Sequence, residues 1–465
     1  MNIPSKDNTD FEINPAFKDK DFDVSSSTNY LSSISTLLTS TLGITILLMP
    51  KLFHQGGVLF CTVQILIMGL AIYISSSMIC SIAHVTKSTS YYETIKNVCG
   101  KYKAIPNTFF IILLCGNILV YHAFVLKNLI PMVNTLFMFN YVEKSVEWIT
   151  LGAMLTFATH FLILPFLFSR KLKIVKQISN FCSVAMIFSV FIVILAFFKP
   201  SLFDLPKNPI DWQFVDFYKF DGIYVCAGYY LLSFTFQQIV IEVSNEIRPR
   251  TGYSTDIVIF TNCMVSSFLY IIVSFVGYLS IYNEPNLDQM NNYITYLIVD
   301  LRNRNPWLFM TNFLVIINVC FANILNYIPA IKFVNSILNF KKNKRKMSGI
   351  SNATSPTIID IQDNEEAQFL RYKNRAIVWI IFLVVLFFSL MTTVLDIKMD
   401  TIFNIVSAFG GPIVLLVMPA VFYLYMVHKG DIVWAGNFDY VVGLAVLTLG
   451  VAMWFISIFA TLQDI

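Results

Sequence analysis

The 465-residue chain is 56% hydrophobic and only 13% charged, about half the charged fraction of a soluble globular chain, for which about 25% is usual. That composition excludes an ordinary water-soluble domain, and nothing in it suggests a nucleic-acid partner; the net charge of +4 matters less than where the charges fall. The 8 cysteines lie almost entirely within apolar runs and form no CxxC pair, so they read as small buried thiols, not as a zinc site or a disulfide framework.

Residues 1–30 are polar and acidic (Asp7, Asp10, Glu12, Asp19, Asp21 and Asp23) and lack the basic start and apolar run of a signal peptide. They are expected to be a flexible cytosolic tail. A helix needs about 20 mostly apolar residues to cross a bilayer. Runs of this kind follow at 32–49 (ending before Pro50 and Lys51), 58–84, 104–126, 148–168, 177–198, 222–241, 257–283, 305–331, 376–395, 401–428 and 440–463. Backbone amides in hydrocarbon must be paired within the segment, which predicts helices, whereas a β-barrel would show short alternating stretches. Eleven spans with a cytosolic N-terminus place 23 of the 32 Lys and Arg inside and 9 outside, as the positive-inside rule requires. The expected fold class is thus an all-α polytopic membrane protein with its transmembrane part at 31–465 and a cytosolic loop at 339–375. That loop carries Lys341, Lys342, Lys344, Arg345 and Lys346, a positive-inside anchor or, alternatively, a contact for anionic lipid. The sequon at Asn352 falls in the same cytosolic loop and is expected to stay unmodified.

Two of the spans look interrupted. Ser40-Thr41-Leu42-Gly43-Ile44-Thr45 breaks the first, and Ser233-Phe234-Thr235-Phe236-Gln237-Gln238 lies in the middle of the sixth. Broken helices at matching positions of two five-helix halves mark a binding site at the interface of inverted repeats. The alternative is that these hydroxyls and amides only bond to neighbouring helices.

At these residues the chain resembles the amino acid/auxin permease family, which includes sodium-coupled neutral, proton-coupled and vacuolar amino acid transporters. The likeness runs from about residue 32 to 425. It rests on Thr39 to Pro50 with Gln55-Gly56-Gly57, on Ser90-Tyr91-Tyr92-Glu93 with Gly100, and on Leu164-Pro165 followed by Leu172-Lys173, where a turn between helices four and five is expected. It rests further on the sixth-span segment with Glu246, on Ile328-Pro329-Ala330, and on Ile402 to Ala408 with Met418 to Leu424. The resemblance implies a LeuT-type fold: one five-helix repeat at 31–200, an inverted one at 221–430, and an extra helix at 436–463. It implies secondary transport of amino acids by alternating access, by a monomer in a plasma, vacuolar or lysosomal membrane.

A zwitterion loses hydration in hydrocarbon, and the free backbone groups of a broken helix offset that loss: N–H groups for the carboxylate, carbonyls for the ammonium. Thr41, Leu42, Gly43 and Thr45 are therefore expected to cradle the carboxylate. Phe234, Thr235, Phe236 and Gln237 are expected to receive the ammonium and side chain. Gly43 either lets backbone approach the ligand or packs helices. The family's first helix commonly has a second glycine where this chain has Thr45. Gln237 and Gln238 stand where many animal relatives have His and Pro. Ala322 replaces a hydroxyl of the sodium-coupled relatives, which counts against sodium, although Thr36, Thr39 and Asn323 offer oxygens. Glu242, just beyond the sixth-span break, is the candidate proton carrier, with a surface boundary residue as the bland alternative. No cofactor is expected beyond a coupling H+ or Na+. His84, His122 and His160 are read as helix–helix bonders or pH-sensitive groups. The spans carry no paired carboxylates, HExxH or Ser/His set, which excludes an enzyme, and no filter loop, which argues against a channel. An amino acid sensor on the same fold, or a sodium-coupled or uniport carrier, stays open.

Overall fold

The computed structural model describes residues 30–43, 45–139, 145–168, 172–205, 212, 215–220, 222–247, 252–282, 293–299, 305–346, 356–395, 397, 399–432 and 437–463. Residues 1–29 of the expected tail, the sequon at Asn352 and the link at 169–171 lie outside them, while Tyr30 begins α1. The described elements are helical. In chain order they are α1 (Tyr30–Thr41), α2 (Met49–Gly56), α3 (Val58–Val85), α4 (Tyr91–Cys99), α5 (Ala104–Leu136), α6 (Val146–Phe168), α7 (Leu172–Phe198) and α8 (Ile223–Ser233). Then come α9 (Gln237–Glu246), α10 (Gly252–Ile281), α11 (Tyr293–Val299), α12 (Pro306–Lys346), α13 (Pro356–Val394), α14 (Met399–Phe409), α15 (Met418–Lys429) and α16 (Asn437–Gln463).

Among the described residues ten segments are long and apolar enough to cross a bilayer. The first expected span is not one of them, because it is two short helices, α1 and α2, separated by Leu42 and Gly43 and a single turn at Thr45–Leu47. Pro50 does not end this segment. It occupies the first turn of α2, where a missing N–H costs nothing, and the helix runs on to Gly56. Pro165 lies inside α6, three residues before that helix ends, and the passage from α6 to α7 falls between Phe168 and Leu172, within the stretch expected to turn. The pair α8–α9 is broken at Phe234–Phe236.

Burial sorts the helices into an inner and an outer set. The window across α8 and α9 is 89% buried, against 28% for α16 and 33% for α6 and α13. Every residue of α1 from Ser35 to Thr41 is buried too. The broken helices are therefore the centre of the protein, with α1 packed on α7, α9, α10 and α12. Their polar breaks are kept from lipid by whole helices. The outer set turns Leu59, Leu66 and Leu70 of α3, Phe387 and Phe388 of α13, and Phe455 and Phe459 of α16 outward, as a hydrocarbon solvent demands.

Two sequence motifs prove to be local devices. Ser90 caps α4: its Oγ accepts from the Glu93 amide at 3.3 Å, while the Glu93 carboxylate accepts from the Thr89 amide at 2.8 Å, a reciprocal cap. Tyr91 then reaches across to donate to the Val414 carbonyl at 2.7 Å. That carbonyl belongs to a π-turn at Ile413–Val417 between α14 and α15, where widened hydrogen bonding frees acceptors.

The start of α3 is strapped to the segment at 215–220 that precedes α8. The Val58 and Leu59 amides donate to the Asp216 and Phe217 carbonyls, both at 3.0 Å. Gly222 sits so close to this strap that a Cβ there would lie 1.9 Å from the Gln55 carbonyl oxygen. Backbone cannot swing aside as a side-chain tip can, so overpacking here is costly. Gly222→Ala is expected to lower the melting temperature by several degrees and reduce the monodisperse fraction on size exclusion. Gly252→Ala, at a position with nothing within 4 Å, is expected to leave both unchanged.

Candidate functional site

The first break follows from its residues. Thr41 turns its hydroxyl back to the Leu37 carbonyl at 2.8 Å, a bond that competes with helix continuation. The last regular helical bond is Leu42 N to the Leu38 carbonyl, 2.7 Å. The carbonyls of Ser40, Thr41 and Leu42 then project from a helix end inside the membrane protein, where unpaired acceptors are costly. Each is met by a side chain from a different helix. Tyr121 of α5 donates to Ser40 at 3.0 Å, Tyr270 of α10 to Thr41 at 2.6 Å, and Asn318 of α12 to Leu42 at 3.2 Å.

The second break is built to match. α8 ends at Ser233, whose carbonyl lies 2.8 Å from the same Tyr270 hydroxyl. Thr235 donates through its side chain to the Leu232 carbonyl, and its own carbonyl accepts from Ser40 Oγ at 3.2 Å. One tyrosine hydroxyl therefore joins the C-terminal ends of two half-helices. It has a single proton, so it serves the two carbonyls in alternation, and it accepts from Thr45 Oγ1 at 3.3 Å. Tyr270 is fully buried, and its ring meets that of Phe234 edge-on with centroids 5.4 Å apart.

Between the breaks lies a narrow cavity. The space free inside it is about 10 Å³, room for roughly one water molecule. Three of the sequence-derived residues line it: Thr41, Thr45 and Thr235. Gly43 stands at its edge, where a Cβ would come 2.6 Å from the Tyr121 hydroxyl. Leu42 does not line it, and its carbonyl is paired with Asn318. Phe234 turns away: its ring end packs against Gly69 of α3, 3.4 Å from where a Cβ would stand. Phe236 is fully buried and does not line the cavity. Nor does Gln237, whose amide nitrogen reaches Ser75 Oγ at 2.8 Å and the Leu415 carbonyl at 3.0 Å. Gln238 pairs with Asn326 of α12.

The rest of the lining, Asn117, Val120, Tyr121, Leu232 and Phe403, was not singled out from the sequence, and neither were Tyr270, Asn262 and Asn318. The available signal was polarity within apolar runs: Asn117, Asn262 and Asn318 each sit in a span with no local partner. Asn262 donates to Thr41 Oγ1 at 3.1 Å, so α10 supports the first break twice.

The coupling candidates are separated. Thr39 faces α7, with its hydroxyl 2.9 Å from the Ser35 carbonyl, 3.0 Å from the Ser179 carbonyl and 3.2 Å from Ser183 Oγ. Asn323 faces α5 instead, through a long 3.5 Å contact to the Ile118 carbonyl. Thr36 is occupied by the Ser32 carbonyl at 2.9 Å. Glu242 of α9 is buried and forms an ion pair with Lys332 of α12, Oε1 to Nζ 3.2 Å. Its Oε2 is buried without a hydrogen-bond partner. His122 and His160 stack edge-on between α5 and α6 at 4.3 Å, and His160 Nδ1 is 2.9 Å from the Thr156 carbonyl, so that nitrogen carries the proton.

A many-spanning helical protein whose two most buried helices unwind beside one cavity has the build of a membrane carrier. The chain belongs to the family described as transmembrane amino acid transporter protein, whose family model matches residues 26–463. It is an integral multi-pass membrane protein of a transporter family, and the relatives it matches are named as carriers, not enzymes. It is 22% identical to the putative sodium-coupled neutral amino acid transporter 10 of Xenopus laevis over 90% of this chain and 36% of that protein. It is 21% identical to solute carrier family 38 member 10 of Rattus norvegicus, over 59% of this chain and 24% of that protein. It is 23% identical to vacuolar amino acid transporter 5 of Schizosaccharomyces pombe, over 54% of this chain and 58% of that protein. The chain thus spans about a third or less of the length of the first two.

Tyr270→Phe removes the shared donor but keeps the ring contact with Phe234. It leaves the Thr41 and Ser233 carbonyls buried without it, which costs about 1–3 kcal/mol. The variant is expected to melt several degrees below the parent in detergent by intrinsic fluorescence and to bind substrate more weakly. An unchanged melting temperature would show that the hydroxyl does not hold the breaks.

Proposed function

We propose that this protein is a secondary active transporter of neutral amino acids, working by alternating access at the cavity between the two broken helices and coupled to protons through Glu242. The observation that carries this reading is the convergence of both breaks on one cavity that also receives α5 and α14. The lining holds hydroxyls, one carboxamide and apolar groups but no charged side chain, so a substrate with a charged side chain would enter without a counter-ion and lose its hydration. Neutral side chains fit that chemistry, and the Xenopus relative is named for neutral amino acids. The Schizosaccharomyces relative is named for the vacuole, which supports a vacuolar membrane setting.

In this reading α1–α2 supplies the eleventh span. The arrangement is a LeuT-type pair of inverted repeats with α16 added, and the N-terminus is cytosolic. Glu242 sits where coupling would be effective. Its ion pair ties α9, the second half of a broken helix, to α12. Protonation neutralises the carboxylate, removes its attraction to Lys332 and frees α9 to move; deprotonation on the other side restores the pair. Sodium is the second reading. The oxygens of Ser35, Thr39, Ser179 and Ser183 gather between α1 and α7, and the Xenopus relative is named as putatively sodium-coupled.

The test is uptake of a labelled neutral amino acid mixture into proteoliposomes under an inward proton gradient, an inward sodium gradient, or neither. Proton-driven accumulation is expected. Glu242→Gln is expected to reduce accumulation at least tenfold while leaving exchange of internal for external substrate measurable. Sodium-driven accumulation would shift the coupling site to Thr39 and α7. Equilibration without accumulation would mean a uniporter. No flux from folded protein would favour a sensor.

A further inference from the structure

Among the described residues Asn117 is the one carboxamide on the cavity wall. It is 5% exposed, and its Nδ2 is buried without a hydrogen-bond partner. Buried polar groups are nearly always paired, and an exception calls for a physical reason. Here the neighbours give one. Asn117 lies one helical turn before Tyr121 on α5, so the two side chains share a face. Tyr121 is committed to the Ser40 carbonyl and is wedged against Gly43. Gly116, on the next face, is packed against Val406 of α14, which fixes the rotation of α5. Asn117 is thus held toward the cavity by its own helix, and none of the polar side chains that share the lining with it, Thr41, Thr45, Tyr121 and Thr235, is bonded to its Nδ2.

The backbone ends of a bound amino acid belong with the backbone of the two breaks, at Thr41 and Thr235. The wall on the α5 and α14 side is left for the substrate's side chain. It is apolar but for the Asn117 amide and the Tyr121 hydroxyl already in use.

We infer that Asn117 sets side-chain specificity in this site by hydrogen-bonding an uncharged acceptor on the substrate side chain, so that the protein selects small polar amino acids over aliphatic ones of the same shape. This rests on the transport reading above. A donor left unpaired by an aliphatic substrate penalises that substrate, whereas a site of purely apolar groups hardly separates isosteres. A carboxylate side chain is not the occupant, since the lining holds no cation to meet it. A carboxamide or hydroxyl satisfies Asn117 whichever way its own amide is turned.

The experiment is proteoliposome uptake of two near-isosteric pairs, threonine against valine and asparagine against leucine, each measured as kcat/KM. The parent protein is expected to favour threonine and asparagine by roughly tenfold or more. Asn117→Leu, which keeps the volume and removes the donor, is expected to abolish or invert both preferences while valine and leucine uptake persists. Asn117→Thr, which keeps a donor in a smaller side chain, is expected to retain part of the threonine preference and guards against a leucine variant that does not fold. Equal handling of both pairs by the parent protein, a preference that survives in Asn117→Leu, or a uniform loss for all four substrates would overturn the assignment while leaving transport intact. Absence of uptake or thermal-shift binding of any amino acid by the parent protein would instead overturn the transport reading and the assignment with it.

Discussion

A helix that unwinds inside a membrane protein leaves carbonyls with no water to meet them, and the whole arrangement depends on how those carbonyls are paired. At the first break three successive acceptors, Ser40, Thr41 and Leu42, are taken by Tyr121, Asn318 and, at the centre, Tyr270. Tyr270 also serves Ser233 at the second break. Because one hydroxyl serves both helix ends, the breaks are held side by side, and the cavity between them is a consequence. Three supporting helices, α5, α10 and α12, are thereby locked in rotation about the site.

The same economy explains α9. It begins inside the protein and lacks a side-chain cap, yet it is tied on three sides. Gln237 crosses to α3 and to the Leu415 carbonyl released by the π-turn, Gln238 pairs with Asn326 of α12, and Glu242 meets Lys332 lower on α12. Two amide ties and one charged tie hold a half-helix of ten residues. Of the three, only the charged one can be undone by a proton, which is the ground for the coupling role proposed for Glu242. The side-chain oxygens Gln237 Oε1, Gln238 Oε1 and Glu242 Oε2 are buried without hydrogen-bond partners in this arrangement.

Much of this was legible in the sequence, for physical reasons. Apolar runs of bilayer length announce helices because hydrocarbon permits little else, and the breaks announced themselves through clustered hydroxyls and Gly43. Thr41, Thr45 and Thr235 line the cavity because the groups that face it there belong to the broken segments themselves. Phe234 and Gln237 share the segment but point to α3 and the π-turn, a direction that span-level reading does not resolve. Asn117, Tyr121, Tyr270 and Asn318 were missed because they lie on unbroken helices far along the chain, where a lone polar residue looks the same whether it bonds a neighbour or faces a ligand. Pro50 misled for a simpler reason: proline is at home in the first turn of a helix as well as after its end.

The most direct measurement is substrate protection at the second break. Thr235→Cys places a thiol on the cavity wall, and its alkylation by a small permeant maleimide can be followed by mass spectrometry with and without saturating amino acid. If the two breaks form the substrate site, the amino acid should slow labelling at residue 235 several-fold while labelling of the native cysteines is unaffected. An unchanged rate at residue 235, under an amino acid that demonstrably binds, would place the substrate elsewhere and contradict the account.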